Sequence, residues 1–232
     1  MDWHKNLLKK VMKWQLLFRS LYLFPSYVQI EPTTKCNLRC KMCLRSQVEQ
    51  KVDEDMNFNL FKSIINQLRG SFYITRMVNL TGLGESLLNP NIISMVKYAK
   101  NSGLRVQIVT NLTEVDENTL EGLIKAKLDV LAVSFDGATK ETFEKIRVGA
   151  VFEEVVENIK LLLRLKREME VGKPKVYLNS TVCEENVREI PAMIKMAEDL
   201  GVNGIVFMKQ AVPGTKYWDS NVFSLLANEK FP

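Results

Sequence analysis

The chain has 232 residues, of which 46% are hydrophobic and 25% charged, and it carries a formal net charge of +5. These values are typical of a globular domain with a substantial core, and no apolar run reaches the length that a membrane-spanning helix needs. Residues 1–24 hold most of the excess positive charge. The nearly neutral remainder therefore predicts a protein without a nucleic-acid-binding surface.

Residues 1–25 are predicted to form an amphipathic N-terminal helix. Its apolar face would hold Leu7, Val11, Trp14, Phe18 and Leu21, with Lys5, Lys9 and Lys13 on the opposite face. One interpretation is a helix that contacts an anionic membrane surface or a partner protein, and the other is a helix packed across the outside of the domain. Because the lysines interrupt any signal-peptide core, we predict a cytoplasmic protein, peripheral at the membrane in the first case.

From residue 26 to residue 210, short apolar, β-branched runs alternate with helical periods. The predicted strands are Tyr27–Glu31, Met77–Thr81, Arg105–Thr110, Val130–Phe135, Lys175–Val182 and Gly204–Met208. This alternation predicts an α/β domain with parallel strands and right-handed crossovers.

The pattern alone fits either an open doubly wound sheet or a partial barrel. In both architectures ligands bind at the carboxyl ends of the strands. On the last strand, Val206 and Met208 are possible ligand-packing positions, but the pattern favours core packing for both. Residues 211–232 form a short C-terminal tail that can cap the open side of a barrel.

Three cysteines follow the first strand with the spacing C-x3-C-x2-C: Cys36, Cys40 and Cys43. They are too few for a closed four-ligand zinc site, but three thiolates can hold three corners of a [4Fe–4S] cluster and leave one iron open. The fourth cysteine, Cys183, is predicted to be a small buried hydrophobe. A disulfide framework is not expected, and the pattern favours a reducing compartment.

The ends of the next three strands carry polar side chains and glycines. They supply Gly84 and Glu85 in the segment TGLGES, then Asn111, then Ser134 and Asp136 in the segment SFDG. Residues from separate strands that meet on one rim are the usual way in which this class of fold builds a binding site.

The cysteine motif after a first strand resembles the signature of the radical S-adenosylmethionine (radical SAM) superfamily. The resemblance implies a partial (β/α)6 barrel whose cysteines hold a [4Fe–4S] cluster, with S-adenosylmethionine bound to the open iron. It also implies reductive cleavage of S-adenosylmethionine to a 5′-deoxyadenosyl radical that abstracts hydrogen from a substrate, while the protein provides positioning and excludes water.

Further segments extend the resemblance. GLGES is similar to the Gly-Gly-Glu segment of the superfamily, so that Gly84 and Glu85 would meet the methionyl amino group through their backbone. Asn111 matches the Thr-Asn-Gly at the end of the third strand.

The segment SFDGATKETFEKIRVG resembles the fourth-strand region of the branch that contains molybdenum-cofactor, pyrroloquinoline-quinone and peptide-maturase enzymes. By that likeness Ser134 and Asp136 would face the ribose or methionyl part of the cofactor. Arg147 would bind its carboxylate, which suits the planar guanidinium.

Many members of this branch carry further cysteines for auxiliary clusters in a C-terminal extension, whereas no cysteine follows Cys183 here. The resemblance implies a peptide or a small cofactor precursor as substrate, and a ferredoxin or flavodoxin as electron donor. One alternative is a glycyl-radical-enzyme activase, although activases commonly carry Asp-x-Lys at the fourth strand. Another is a non-catalytic iron–sulfur electron-transfer protein, which would need the cysteines but not the rim residues.

Overall fold

The computed structural model of the chain describes residues 25–47, 52–70 and 76–209. The predicted N-terminal helix, up to residue 24, and the predicted C-terminal tail lie outside these residues. None of the helices in the described ranges is long and apolar enough to cross a membrane.

The described residues form one sheet of six parallel strands, and these stand in the order in which they occur in the chain. The strands are β1 (Tyr27–Ile30), β2 (Met77–Leu80), β3 (Arg105–Thr110), β4 (Val130–Ser134), β5 (Lys175–Val182) and β6 (Gly204–Lys209). A doubly wound sheet reverses its strand order at a switch point, whereas this order runs in one direction. The fold is therefore an open, partial (β/α)6 barrel, and the predicted fold class is confirmed.

Within the described ranges, six α-helices lie between the strands. They are α1 (Phe58–Gly70), α2 (Ile92–Asn101), α3 (Glu117–Lys125), α4 (Lys140–Ile146), α5 (Phe152–Glu168) and α6 (Ile190–Leu200). Capping residues mark the ends of two of these helices. Asp116 accepts a hydrogen bond from the Thr119 amide at the start of α3, and Gly201 adopts the left-handed conformation after α6.

Backbone pairing holds the carboxyl ends of the strands in register at one rim of the sheet. Leu80 pairs with Ile108, and Ser134 pairs with Asn179. Loops that follow neighbouring strands consequently leave the sheet side by side, which brings the cysteine loop, the glycine segment and the ends of β3 and β4 together.

The edge strand β6 differs from its prediction. Val206 and Met208 are each 44% exposed, so the prediction that they pack in the core is wrong. In the part of the chain that the structure describes, β6 pairs only with β5, which puts it at the edge of the sheet.

Candidate functional site

A cavity of about 540 Å³ opens at the carboxyl ends of the strands. Eight of the nine predicted site residues line it: Cys36, Cys40, Cys43, Gly84, Glu85, Asn111, Ser134 and Arg147. The ninth, Asp136, is fully buried behind this wall. Apolar walls are added by Leu38, Met42, Leu44, Leu83, Val109 and Met208. The residues that the sequence placed at separate strand ends therefore form one site.

The tip of the cysteine loop is pinned to the end of α4 by two backbone hydrogen bonds. The Arg39 amide donates to the Val148 carbonyl at 2.9 Å, and the Lys41 amide donates to the Ile146 carbonyl at 3.0 Å. Both bonds lie between cysteines, and Arg147 stands between the two acceptors. The loop and the arginine are thus positioned by the same contact.

The base of the same loop is held by residues 52–56. The Thr34 amide donates to the Glu54 carbonyl at 3.0 Å, and the Met56 amide donates to the Pro32 carbonyl at 2.8 Å. These bonds lie just before Cys36, so the base of the loop is fixed as well as its tip.

The glycine segment after β2 packs directly on the base of the cysteine loop. A Cβ atom at Gly84 would lie 2.0 Å from the carbonyl oxygen of Thr33, so this approach needs a residue without a side chain. The Glu85 amide donates to the Lys35 carbonyl at 2.7 Å. The Glu31 carboxylate, at the end of β1, accepts hydrogen bonds from the amides of Leu83 and Gly84.

The carboxylate of Glu85 points into the protein and joins the ends of β2 and β3. It accepts hydrogen bonds from the Thr110 hydroxyl at 2.7 Å, the Asn111 amide at 2.6 Å and the Leu87 amide at 3.0 Å. Burial raises the pKa of this carboxyl above its ordinary value, and the three hydrogen bonds oppose that shift. The Glu85 side chain therefore holds the ends of β2 and β3 in a fixed position relative to each other.

Asn111 connects the end of β3 to the cysteine loop. Its Nδ2 donates to Oδ1 of Asn37 at 2.9 Å, and Nδ2 of Asn37 donates to the Thr113 hydroxyl at 2.7 Å. Because Asn37 directly follows Cys36, this amide pair holds the first cysteine against the rim.

Arg147 reaches the cysteines from the other side. Its Nε donates to Oδ2 of Asp136 at 2.6 Å, and its Nη1 lies 3.9 Å from Sγ of Cys40. Asp136 also accepts a hydrogen bond from the Thr181 amide at 2.6 Å. Although burial opposes its charge, Asp136 raises the pKa of the Arg147 guanidinium. Among the described residues the hydroxyl of Ser134, which lines the cavity, has no hydrogen-bond partner.

The three clustered cysteines are free thiols. Burial raises the pKa of Cys36 and of Cys40, and on Cys40 the charge of Arg147 acts in the opposite direction. Within the described ranges no three acidic, histidine or cysteine side chains meet at one point that could hold a metal ion. A cubane places its irons at separate corners, so cysteines that bind one need not meet at a point.

Cys183 is buried and does not line the cavity. Burial raises the pKa of its thiol to about 12, and the neighbouring Glu185 adds to the shift. The prediction of a small buried hydrophobe is confirmed.

The residues present fit the predicted cluster and cofactor. Three free thiols line one wall, and the close approach at Gly84 leaves no room for a side chain between the glycine segment and the loop. A buried nitrogen of Arg45, Nη1, has no acceptor among the described residues. The same cavity also offers the hydroxyl of Ser134 and the guanidinium of Arg147, the donor types that bind ribose and carboxylate groups.

Sequence reasoning assigned no role in this site to four supporting residues: Glu31, Asn37, Arg45 and Thr181. Glu31 ends the predicted first strand, and Asn37 and Arg45 stand inside or beside the cysteine motif, so their positions were signals that could have been read. Thr181 acts through its backbone amide, which no sequence pattern shows.

Among the curated proteins, similar sequences include enzymes of cofactor metabolism. The chain is 28% identical over 181 residues to the tungsten-containing aldehyde ferredoxin oxidoreductase cofactor-modifying protein of Pyrococcus furiosus, covering 78% of this chain and 50% of that protein. It is 27% identical to the AdoMet-dependent heme synthase of Methanosarcina barkeri, covering 76% and 48%. It is 30% identical to a probable GTP 3′,8-cyclase of Saccharolobus islandicus, covering 77% and 54%. The chain spans about half the length of these relatives.

Solved structures share the fold. Streptococcus suis SuiB bound to S-adenosylmethionine superposes with a TM-score of 0.73 at 15% identity, covering 90% of this chain and 47% of SuiB. The protein anSMEcpe with bound AdoMet superposes with a TM-score of 0.68 at 18% identity, covering 86% and 59%.

The family model of the radical SAM superfamily matches residues 30–197, a stretch that runs from the end of β1 into α6 and includes all nine predicted site residues. Enzymes of this superfamily use a [4Fe–4S] cluster together with S-adenosylmethionine. The chain therefore belongs to the radical SAM superfamily.

Proposed function

We propose that this chain is the S-adenosylmethionine-cleaving core of an enzyme that abstracts hydrogen from a cofactor precursor or a peptide. One observation carries the proposal: the three cysteines, the glycine segment, Ser134 and Arg147 all line a single cavity of about 540 Å³. A volume of that size is in the range of small-molecule and cofactor sites. An electron-transfer protein would need the cysteines alone.

Some residues of the site would bind the cluster and the cofactor, and others would position those binding residues. Cys36, Cys40 and Cys43 would bind the cluster, whose fourth iron would be open to S-adenosylmethionine. When bound and reduced, the cluster would supply the electron for the cleavage of S-adenosylmethionine to methionine and a 5′-deoxyadenosyl radical. The backbone at Gly84 faces the cavity beside the cysteines, where it would meet the methionyl amino group.

Two further residues that line the cavity would bind the rest of the cofactor. The Ser134 hydroxyl is available for the ribose or methionyl part, and Arg147 for the carboxylate. Asp136, Glu85 and Asn111 are assigned to positioning, because their side chains are engaged with protein groups. Asp136 would thus act on the cofactor through Arg147.

The comparisons favour a cofactor precursor over a peptide as the substrate class. The curated relatives, whose names describe cofactor modification, heme synthesis and GTP cyclisation, are 27–30% identical to this chain. The structural neighbours that include SuiB with its precursor peptide SuiA are 15–18% identical. A low-potential donor such as a ferredoxin or flavodoxin would supply the electron, which places the reaction in the reducing cytoplasm.

The test is the release of 5′-deoxyadenosine. The chain would be purified and loaded with iron and sulfide without oxygen, reduced with dithionite and mixed with S-adenosylmethionine, and the product measured by mass spectrometry. We expect 5′-deoxyadenosine from the unaltered chain and none from Cys40→Ala. A chain that holds the cluster but releases no 5′-deoxyadenosine would instead support the electron-transfer alternative.

A further inference from the structure

Arg45 is a buried cation at the cysteine loop, and the proposed function assigns it no role. It lies two residues after Cys43, in the short 3₁₀ turn Leu44–Ser46, and is 8% exposed. Its Nε donates to the Thr34 carbonyl at 2.7 Å. Since Thr34 lies two residues before Cys36, the guanidinium joins the two ends of the loop that carries all three cysteines.

The two terminal nitrogens of Arg45 differ in their surroundings. Nη2 pairs with Asp53, whereas Nη1 is fully buried and has no acceptor in the part of the chain that the structure describes. An unpaired buried donor on a charged group is costly and calls for an explanation such as an ion or a bound group. A bound iron–sulfur cluster would provide hydrogen-bond acceptors here, namely its own sulfides and the cysteine thiolates that hold it.

The charge of Arg45 is also less compensated than that of Arg147. Arg147 faces Asp136, which is fully buried, so the two charges largely cancel at short range. The partner of Arg45, Asp53, has a side chain that is 59% exposed, and water screens its charge. Arg45 does not line the cavity, but it lies close enough to act on the cysteines: burial raises the pKa of the Cys36 thiol, and the charge of Arg45 acts in the opposite direction.

A buried positive charge acts on the redox state of a nearby cluster. A [4Fe–4S] cluster held by three thiolates carries a net negative charge, and one-electron reduction adds another. A fixed cation stabilises the reduced form more than the oxidised form, and net charge and hydrogen bonds to sulfur are established determinants of cluster potential.

We propose that Arg45 is a positioning residue that closes the cysteine loop and raises the reduction potential of the cluster bound there. This inference rests on the proposed function, because it requires the cluster. The effect of the Arg45 charge on the bound cluster is a bias toward the reduced state.

The experiment is potentiometry of the loaded chain, followed by electron paramagnetic resonance of the reduced cluster. Arg45→Met should lower the equilibrium constant for reduction about tenfold, which is a drop of about 59 mV for a one-electron couple. Asp53→Asn should move the potential in the opposite direction, because it removes the charge that partly compensates Arg45.

Arg39→Met is the matched control. Arg39 lies in the same loop, between Cys36 and Cys40, and carries the same charge, but its side chain is exposed. Its removal should change the potential much less than Arg45→Met does, because solvent screens it. Equal potentials in Arg45→Met and Arg39→Met would overturn the inference.

Two further outcomes are separated by the iron content of each variant. If Arg45→Met fails to retain iron, Arg45→Lys and Asp53→Asn decide between the outcomes. The inference is supported if Arg45→Lys keeps a potential near that of the unaltered chain and Asp53→Asn has a raised potential. It is rejected if the potential falls in Arg45→Lys or does not rise in Asp53→Asn. If the unaltered chain itself forms no cluster, the proposed function fails and this inference fails with it.

Discussion

Asp136 and Arg147 form a buried ion pair behind the cysteine loop, with Nε of Arg147 donating to Oδ2 of Asp136 at 2.6 Å. Asp136 follows β4, and Arg147 follows α4. The same carboxylate accepts the Thr181 amide at 2.6 Å. The pair therefore ties two strand ends to the arginine whose Nη1 lies 3.9 Å from Sγ of Cys40, and it makes the position of Arg147 depend on a residue outside the cavity.

Asp136→Asn should strongly lower the free energy of unfolding of the chain, measured in the absence of cluster and cofactor. It leaves the Arg147 charge buried without its partner, and removal of one member of a buried pair costs about 3–5 kcal/mol in the free energy of unfolding. Asp136→Asn combined with Arg147→Met should cost less than the sum of the single changes, as measured by urea denaturation. Asp199→Asn, which breaks an exposed pair with Lys195, is the control and should be nearly neutral. Additive effects at Asp136 and Arg147 would contradict the coupling.

Arg147→Lys should weaken the binding of S-adenosylmethionine while the cluster stays intact. A lysine can pair with Asp136 or with the cofactor carboxylate, but it lacks the planar fork that contacts both. We expect about a tenfold loss of affinity, which corresponds to about 1.4 kcal/mol, with unchanged iron content. Arg164→Lys, at a half-exposed position on α5, should change neither quantity. Unaltered affinity in Arg147→Lys would remove Arg147 from the cofactor site.

Gly84→Ala should disturb the site more than its size suggests. The added Cβ would lie 2.0 Å from the Thr33 carbonyl and 2.8 Å from the Lys35 carbonyl, both of them backbone atoms, so the cysteine loop would have to move. Overpacking of this kind typically costs about 1–3 kcal/mol. Gly172→Ala is the control, because nothing lies within 4 Å of its added Cβ. Iron retention and melting temperature should fall for Gly84→Ala and stay constant for Gly172→Ala.

Glu85 should make stability depend on pH. Burial raises the pKa of its carboxyl above the ordinary value of 4.5, so the folded chain binds a proton more tightly than the unfolded chain does. This contribution is fully present below about pH 4.5 and is lost as the pH rises through the raised value. The free energy of unfolding, measured by urea denaturation, should therefore fall with rising pH in the unaltered chain relative to Glu85→Gln. A pH-independent difference would show that the carboxyl titrates normally.

The strands were predictable from the sequence because each is a short apolar run whose end is marked by a polar residue or a glycine. All six predicted strands agree with the structure to within one residue at each end. The strand order was not predictable, since six β/α units fit two architectures and only the pairing partners distinguish them. Met208 shows a related limit: its apolar character predicted the core, but its edge strand leaves it 44% exposed at the cavity.

The candidate site could be located from the sequence, but the directions of its side chains could not. Glu85 and Asp136 were placed at the correct rim, yet both carboxylates point into the protein because their donors come from distant segments, such as Asn111 and Thr181. Pairs of this kind are separated by 26 and 45 residues, and a single sequence contains no signal for them. Residue type and position predict where a site forms, while the hydrogen-bond partners decide which side chains reach the ligand.

Cys183→Ala should leave the iron content unchanged. The thiol is buried outside the cavity, and burial raises its pKa to about 12, so it stays protonated at neutral pH and is neither a ligand nor a nucleophile. Cys43→Ala, which removes a thiol from the cavity, should lose most of the iron in a colorimetric assay after loading. In the native chain without iron, Cys183 should also resist alkylation at mildly alkaline pH and should react only after denaturation. Loss of iron in Cys183→Ala would show that the fourth cysteine takes part in cluster binding and that the three-cysteine site is incomplete.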